Sequence, residues 1–299
     1  MDGVLVVDKP EGLTSHDVVA VARRTTGEKR IGHTGTLDPL ATGVLPLACG
    51  RATRLVRFLT ASDKDYDATV RFGLTTDSYD ITGEETSRTD RAPSREALLA
   101  AVASLCGDYL QMPPAYSAKK VGGRRAYELA RNDQPVELTA VPVRVSRAEV
   151  TDFSGERASI SLTCSAGFYV RSFAHELGIR VNAGACLETL RRTRSGEFHL
   201  TEALTLDALQ DGVAGVDLIP VERLLPAFPA VVVTDEGLTR VSHGRALGPD
   251  HYKESVAASG ANRTEVPEWT RIFDSAGRLT ALGTPDAASG SLHPAIVLI

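Results

Sequence analysis

Residues 32–46 read Gly-His-Thr-Gly-Thr-Leu-Asp-Pro-Leu-Ala-Thr-Gly-Val-Leu-Pro. Three glycines and two prolines oppose a regular helix, because proline lacks a backbone donor and glycine loses the most entropy on ordering. The same residues make a poor central strand. The chain must therefore carry a long, shaped loop between two apolar, patterned segments. Loops of that length inside a compact domain are uncommon and usually functional. This one sets the carboxylate of Asp38 near the imidazole of His33, among Thr34, Thr36 and Thr42. An Asp before Pro is a common turn former. In this company it is also a candidate catalytic nucleophile or base. The loop by itself leaves both readings open.

Length, composition and charge narrow the class. A chain of 299 residues suits one large domain and one small one. Apolar content of 42% and charged content of 24% are those of an ordinary globular protein. No run of about 18 apolar residues suggests a membrane span. The N-terminal apolar run is cut by Asp8 and Lys9 and has no basic leader, so it does not read as a signal peptide. Cys49, Cys106, Cys164 and Cys186 are far apart. Neither a zinc site nor a disulfide framework is expected, and reduced thiols in a cytoplasmic protein are the default. The net charge of −5 argues weakly against a nucleic-acid partner. The charge is uneven, however: residues 91–200 hold 15 cationic and 11 acidic side chains, and residues 201–299 hold 7 and 13. A basic face on an acidic protein is compatible with this distribution.

Taken in order, residues 4–7 read as a buried strand ended by the turn Asp8-Lys9-Pro10-Glu11-Gly12. Thr14 or Ser15 caps a helix over 16–26, closed by Gly27. Residues 52–59 form a second helix, with Arg51, Arg54 and Arg57 outward. Residues 64–73 alternate, so Tyr66, Ala68, Val70 and Phe72 share one strand face. The acidic stretch 75–90 reads as a surface loop, and Ser94 starts a helix to 105. The basic segment 113–131 reads as a mobile excursion from the core. Strands are expected at 141–146, 147–153 and 158–165. Arg171 ends an apolar strand, before a helix over 172–181. Pro226, Pro229 and the run Val231-Val232-Val233 mark a boundary near 228. Beyond it, strand-like pieces predict a small β-barrel or sandwich, with 249–268 a flexible loop.

Few residues outside the loop stand out on their own. Tyr66 is by default a half-buried aromatic, and Lys9 a solvated turn residue. Arg171 either pairs with a surface acid or faces Asp38, where it favours an ionised carboxylate. There is no GxGxxG opening a helix, no phosphate-binding P-loop, no HExxH and no GxSxG elbow. The seven histidines do not cluster, so no catalytic metal is indicated. The residues alone reach a cytoplasmic protein of mixed α and β structure, with a shaped Asp/His loop and a small C-terminal β domain.

The 32–46 loop closely resembles the signature of the TruB family of tRNA pseudouridine synthases. Further segments match in order: Val4-Leu5-Val6-Val7-Asp8-Lys9-Pro10-Glu11-Gly12-Leu13-Thr14-Ser15, Lys64-Asp65-Tyr66, Cys164-Ser165-Ala166-Gly167-Phe168-Tyr169-Val170-Arg171-Ser172 and Leu190-Arg191-Arg192-Thr193-Arg194-Ser195-Gly196. The match spans about the first 225 residues. The C-terminal third resembles the family's PUA-type RNA-binding barrel more weakly. The resemblance implies an α+β pseudouridine synthase fold, with a mixed, mainly antiparallel sheet and flanking helices over 1–227. A PUA-like barrel follows over 228–299. It implies isomerisation of the uridine at position 55 in the TΨC arm of tRNA, with base flipping and without cofactor or metal. Asp38 matches the essential aspartate. It either adds covalently to the substrate or removes a proton from C2′ to give a glycal. Arg171 matches the arginine paired with it, and Tyr66 the tyrosine that stacks on the uracil and assists loss of the C5 proton. Tyr169 and Leu190 line the pocket, His33 fills the space of the flipped nucleotide, and Lys9 and Pro10 brace the loop. Lys119, Lys120, Arg124 and Arg125 in the basic excursion would contact phosphate.

The family's second domain is usually more basic than residues 201–299 are here, which lowers its expected share of tRNA binding. The partner is a tRNA stem-loop, with no membrane and no obligatory protein. Two alternatives are a guide-RNA-dependent synthase of a ribonucleoprotein and a non-enzymatic tRNA-folding chaperone.

Overall fold

The computed structural model describes residues 1–117, 120–121, 124–125, 138–212, 218–256, 268–286 and 288–299. The chain starts with β1 (Gly3–Lys9), α1 (Ser15–Thr26), β2 (Ile31–His33) and β3 (Thr42–Cys49). A 3-10 turn and the short helix α2 (Val56–Thr60) lead to β4 (Lys64–Phe72). The hairpin β5 (Leu74–Thr76) and β6 (Glu85–Arg88), helix α3 (Arg95–Ser104) and β7 (Gly107–Gln111) follow. After the short pair β8 (Lys120–Val121) and β9 (Arg124–Arg125) come β10 (Val141–Phe153), β11 (Arg157–Cys164), α4 (Val170–Arg180) and β12 (Ala185–Ser195). Four short pieces complete this part: β13 (Phe198–His199), β14 (Leu204–Thr205), α5 (Leu206–Gln210) and β15 (Ile219–Pro220).

The larger sheet runs in the order β14-β1-β3-β12-β4-β11-β10-β7, with β13 on β12, β15 on β1 and β2 on β3. Among the described strands of this sheet only the β1–β14 and β3–β12 pairings are parallel, so the sheet is mixed and mainly antiparallel. Its middle is covered on both faces, which explains the unbroken apolar run in β1. Leu5 and Val7 join the core beneath α1 and α4, while Val4 and Val6 join a second core on the opposite face. β3 divides in the same way, with Leu45, Leu47 and Cys49 on one side and Val44 and Ala48 on the other.

Two of the expected obstacles to a strand in 42–49 have local solutions. Pro46 lies opposite Val6, but its carbonyl accepts from the Thr34 amide at 3.0 Å, on the side away from β1. A residue's N and O point the same way in a strand. The missing donor therefore falls between the short β12 and β2 ladders, where no partner strand requires it. Gly43 has φ +100°, and a Cβ there would sit 2.2 Å from the Arg192 carbonyl. Only glycine allows β12 to approach so closely at that point.

The second sheet has the order β17-β16-β18-β19-β20, from β16 (Ala230–Val233), β17 (Tyr252–Val256), β18 (Thr270–Phe273), β19 (Leu279–Asp286) and β20 (Ser291–Val297). Helix α6 (Asp235–Ser242), capped by Thr234, packs against it. Leu279, Leu282 and Leu298 enter the second core of the large sheet.

Several elements differ from expectation. Arg51 and Arg57, expected to face outward, stay open to solvent but also reach the second sheet. Arg51 donates to the Leu298 carbonyl at 2.9 Å, and the Arg57 guanidinium lies 4.7 Å from the Trp269 ring centre. Residues 141–153 form one strand, since two bulges break the alternation without breaking the ladder. α4 begins at Val170, so Arg171 sits in a helix's first turn and not at a strand end. Within 249–268, a 3-10 turn and β17 occupy 249–256, while 257–267 lie outside the described residues.

Candidate active site

The loop between β2 and β3 carries Asp38 near its tip, and the segment before α1 holds it there. Thr14 caps α1 in a reciprocal box with Asp17, which leaves Ser15 free for the loop. The buried Ser15 hydroxyl accepts from the Leu37 amide at 2.8 Å and donates to the Leu37 carbonyl at 3.1 Å. On the other side of Asp38, the Pro39 carbonyl accepts from the Gly12 amide at 2.8 Å and from the Lys9 ammonium at 3.3 Å. Lys9 is fully buried and also holds the Pro10 and Leu13 carbonyls. From below, the buried Arg192 of β12 donates to the carbonyls of Gly35, Thr36 and Val44.

Arg171 reaches Asp38 from α4. Its Nε lies 2.9 Å from Asp38 Oδ2. The arginine side chain is 7% exposed and the carboxylate 42%, so the cation is anchored while the acid faces the opening. The anchor comes from three sides. Arg171 donates to the Ser78 carbonyl at 3.0 Å and to the Tyr116 carbonyl at 2.7 Å, and it stands 3.6 Å from the buried carboxylate of Asp80. Asp80 Oδ1 accepts from Ser78 and Thr82. Immediately before α4, the buried Gln111 side chain accepts from the Tyr169 amide at 2.8 Å and donates to its carbonyl at 3.1 Å.

Two cavities meet at the Asp38–Arg171 pair. The inner one, about 330 Å³, is lined by Tyr66, Tyr169, Leu190, Lys64 and Arg192. The outer one, about 720 Å³, is polar and includes His16, Asp77, Asp80, Glu84 and Tyr116. Thr36, Leu37, Asp38 and Arg171 belong to both linings. An apolar and aromatic slot next to a carboxylate suits a flat ring whose attached sugar stays at the mouth.

The electrostatics follow from burial. Desolvation lowers the ammonium pKa of Lys9 and of Lys64 to about 8. Burial raises the Tyr66 phenol, and the adjacent Arg192 charge opposes that rise. Burial likewise raises Tyr169, opposed by the nearby Ser117 hydroxyl and the Arg171 charge. Both rings thus present themselves as neutral surfaces.

The structure brings together Asp38, Arg171, Tyr66, Tyr169 and Leu190. It places Lys9 beneath the loop, whereas the Pro10 side chain is exposed and contributes its carbonyl. His33 lines neither cavity. It packs edge-on against His16, which does line the outer one, with ring centres 5.4 Å apart. Lys119 lies outside the described residues. Lys120, Arg124 and Arg125 fall on the β8–β9 pair, and only their backbone is described.

Sequence reasoning missed Asp80, Ser15 and Arg192. Asp80 sits in the polar stretch expected to be a surface loop. That stretch instead attaches to β12, where the Ile81 amide donates to the Leu187 carbonyl at 2.8 Å and the Leu187 amide to the Tyr79 carbonyl at 2.9 Å. Nothing local in 75–90 announces this contact. Ser15 was legible only as a cap, and Arg192 only as part of a matching motif.

Comparison with known proteins places the chain in a family. Residues 23–170 match the model of the TruB family pseudouridylate synthase N-terminal domain. A tRNA pseudouridine synthase B of Solibacter usitatus is 43% identical over 304 residues, covering all of both chains. One of Opitutus terrae is 47% identical over 232 residues, covering 77% of this chain and 95% of its own. A chain in the structure of an H/ACA RNP bound to a substrate RNA containing 2′-deoxyuridine superposes with a TM-score of 0.73. It is 24% identical and covers 99% of this chain and 85% of its own, a likeness of fold. End-to-end similarity to the bacterial relatives and the matching N-terminal domain lead to one assignment: the chain belongs to the TruB family of pseudouridylate synthases.

Proposed function

We propose that this protein isomerises uridine to pseudouridine in tRNA, at position 55 of the TΨC arm. The observation that carries the reading is the Asp38–Arg171 pair, 2.9 Å apart at the mouth of an inner cavity lined by Tyr66, Tyr169 and Leu190. It stands in a chain 43% identical, end to end, to a tRNA pseudouridine synthase B. The target base is flipped from its folded loop at a cost of a few kcal/mol, and stacking on Tyr66 offsets about 1–3 kcal/mol. Arg171 holds Oδ2 of Asp38, leaving the other oxygen to approach the ribose. Asp38 then either attacks C1′ or takes the C2′ proton. Both routes release uracil, which turns in the slot and rejoins C1′ through C5. Tyr66 enters as a neutral ring.

In this reading, residues 1–227 are the catalytic domain and 228–299 a PUA-like domain that docks on it. The basic excursion 113–131 grips phosphate, and His33 stands behind the flipped base with His16. The enzyme works in the cytoplasm without a partner protein. Four free thiols support that compartment, and among the described residues no helix is long and apolar enough to cross a membrane.

The test is tritium release from C5-labelled uridine in a bare TΨC stem-loop, with Asp38→Asn as the control. We expect turnover by the wild type and none by the variant. Surviving isomerisation in Asp38→Asn overturns the mechanism. Failure on bare RNA, with activity only after a guide RNA is added, favours the ribonucleoprotein reading. Refolding of tRNA with no isomerisation under any condition favours the chaperone.

A further inference from the structure

Two cations line the inner cavity without a carboxylate partner. Arg192 is 1% exposed and Lys64 is 6% exposed. Arg192 donates to the carbonyls of Val44 at 2.7 Å, Gly35 at 3.0 Å and Thr36 at 3.5 Å, and its guanidinium also bears on the neutral Tyr66 hydroxyl. Lys64 donates to the Thr60 and Ser62 carbonyls. Carbonyl oxygens satisfy donors but leave the charge uncancelled. Burying such a charge costs several kcal/mol.

Strand β12 shows that the fold had a cheaper arrangement to hand. Arg191 is matched by both oxygens of Asp8, at 3.1 and 2.7 Å. Arg194 is matched by both oxygens of Asp65, at 2.7 and 2.8 Å. Of these three arginines, the one beneath the cavity is the one with no acid. Asp38, the acid of the cavity lining, is already paired with Arg171. The slot therefore holds a positive potential that no described side chain neutralises.

We propose that Arg192 and Lys64 make the inner cavity an anion hole for the pyrimidine ring, stabilising the negative charge that the ring carries once its glycosidic bond has broken. This rests on the uridine isomerisation proposed above. When the C1′–N1 bond breaks, both electrons go to N1, and the charge spreads over N1, O2 and O4. If Asp38 attacks, its oxygen forms the new bond to C1′. If it takes the C2′ proton, a C1′–C2′ double bond forms. The ring departs as the same monoanion in either case. Its electrons then make the C5–C1′ bond. In return, either the Asp38 oxygen leaves C1′ or the proton returns to C2′. Loss of the C5 proton and protonation of N1 complete the product. The charge exists only between breaking and rejoining, so stabilising it speeds chemistry without tightening ground-state binding.

The experiment compares two TΨC stem-loops, one with uridine and one with 5-fluorouridine at the target. Fluorine makes the ring a better leaving anion and blocks the final proton loss but not the cleavage. The readouts are the single-turnover loss of the C1′–N1 linkage and the equilibrium Kd, for wild type, Lys64→Met, Lys64→Arg and Arg192→Lys. Melting curves confirm that each variant is folded.

Lys64→Met should slow cleavage of the uridine substrate about tenfold to a hundredfold, with Kd unchanged. The loss on the 5-fluorouridine substrate should be at least about threefold smaller. Lys64→Arg should restore most of the rate. Arg192→Lys keeps the charge but loses the three-carbonyl fork, so it should slow both substrates equally through the loop. Equal losses on both substrates in Lys64→Met, a loss confined to Kd, or no loss at all overturns the anion hole. If the wild type cleaves neither RNA, the isomerase reading itself fails, and that outcome is visible before any variant is compared.

Discussion

Ser15 holds both backbone groups of Leu37, accepting from its amide at 2.8 Å and donating to its carbonyl at 3.1 Å. One buried hydroxyl thereby sets the residue immediately before Asp38, the carboxylate proposed to react. Ser15→Ala leaves a buried amide and carbonyl without that partner, at about 1–3 kcal/mol. It also loosens Asp38. We expect kcat on the stem-loop to fall about tenfold or more with KM nearly unchanged, since small misplacements of a reacting group are costly. Steady-state kinetics beside a denaturation curve separate the two effects.

Arg171 supports Asp38 and is itself held by Asp80 and two carbonyls. Arg171→Lys keeps a cation but not the fork that serves four partners at once. Turnover should fall by about 10²–10³-fold while filter-binding affinity for tRNA is largely kept. Arg171→Ala should in addition lower stability by about 3–5 kcal/mol, because it strands the buried Asp80. A parallel loss of affinity and rate in Arg171→Lys would mean that the residue grips RNA instead.

Tyr66 lines the inner cavity and, in the proposed reaction, stacks on the uracil. Tyr66→Phe should bind the stem-loop as wild type does, and Tyr66→Leu should weaken binding by about 1–3 kcal/mol. Any rate loss in the Phe variant isolates the hydroxyl, which burial holds in its protonated form. Titration of both variants with fluorescent stem-loop measures this directly.

Lys9 and Lys64 have pKa values near 8 in the fold, against an ordinary 10.5. Between these values the unfolded chain binds more protons than the native one, so their contribution to stability rises with pH from about 8 to 10.5. Below 8 both states are protonated and the contribution is flat. Urea denaturation from pH 7 to 10.5 should show this rise, and Lys64→Met should remove part of it. Activity should run the other way, falling as the cavity loses a cation above pH 8.

The basic excursion is expected to bind phosphate. Changing Lys119, Lys120, Arg124 and Arg125 to Ala together should weaken tRNA binding and flatten its salt dependence, by up to about 0.7–0.9 in log–log slope per lost phosphate contact. An unchanged slope would remove these side chains from the interface.

The primary sequence was enough for the local elements and for the family. The alternation in Tyr66, Ala68, Val70 and Phe72, the cap at Ser94 and the Gly27 stop are short-range signals, and each appears where expected. The loop motif and its companions named Asp38, Arg171, Tyr66, Tyr169 and Leu190, and the fold gathers these five around one cavity. What the chain alone left undecided was every relation between distant segments. Asp80 in a polar stretch looked like solvent-facing chain, and became the buried partner of Arg171 because β12 recruits that stretch by backbone hydrogen bonds. Arg51 and Arg57 read as an outward face, and nothing in their own segment announced that the same guanidinium groups would also reach Leu298 and Trp269. Arg191, Arg192 and Arg194 are alike as letters. Only the register of β12 against β4 and β3 pairs two of them with acids and leaves Arg192 charged beneath the slot. Local propensity depends on a few neighbours in the chain, whereas burial and charge pairing depend on which strands lie side by side.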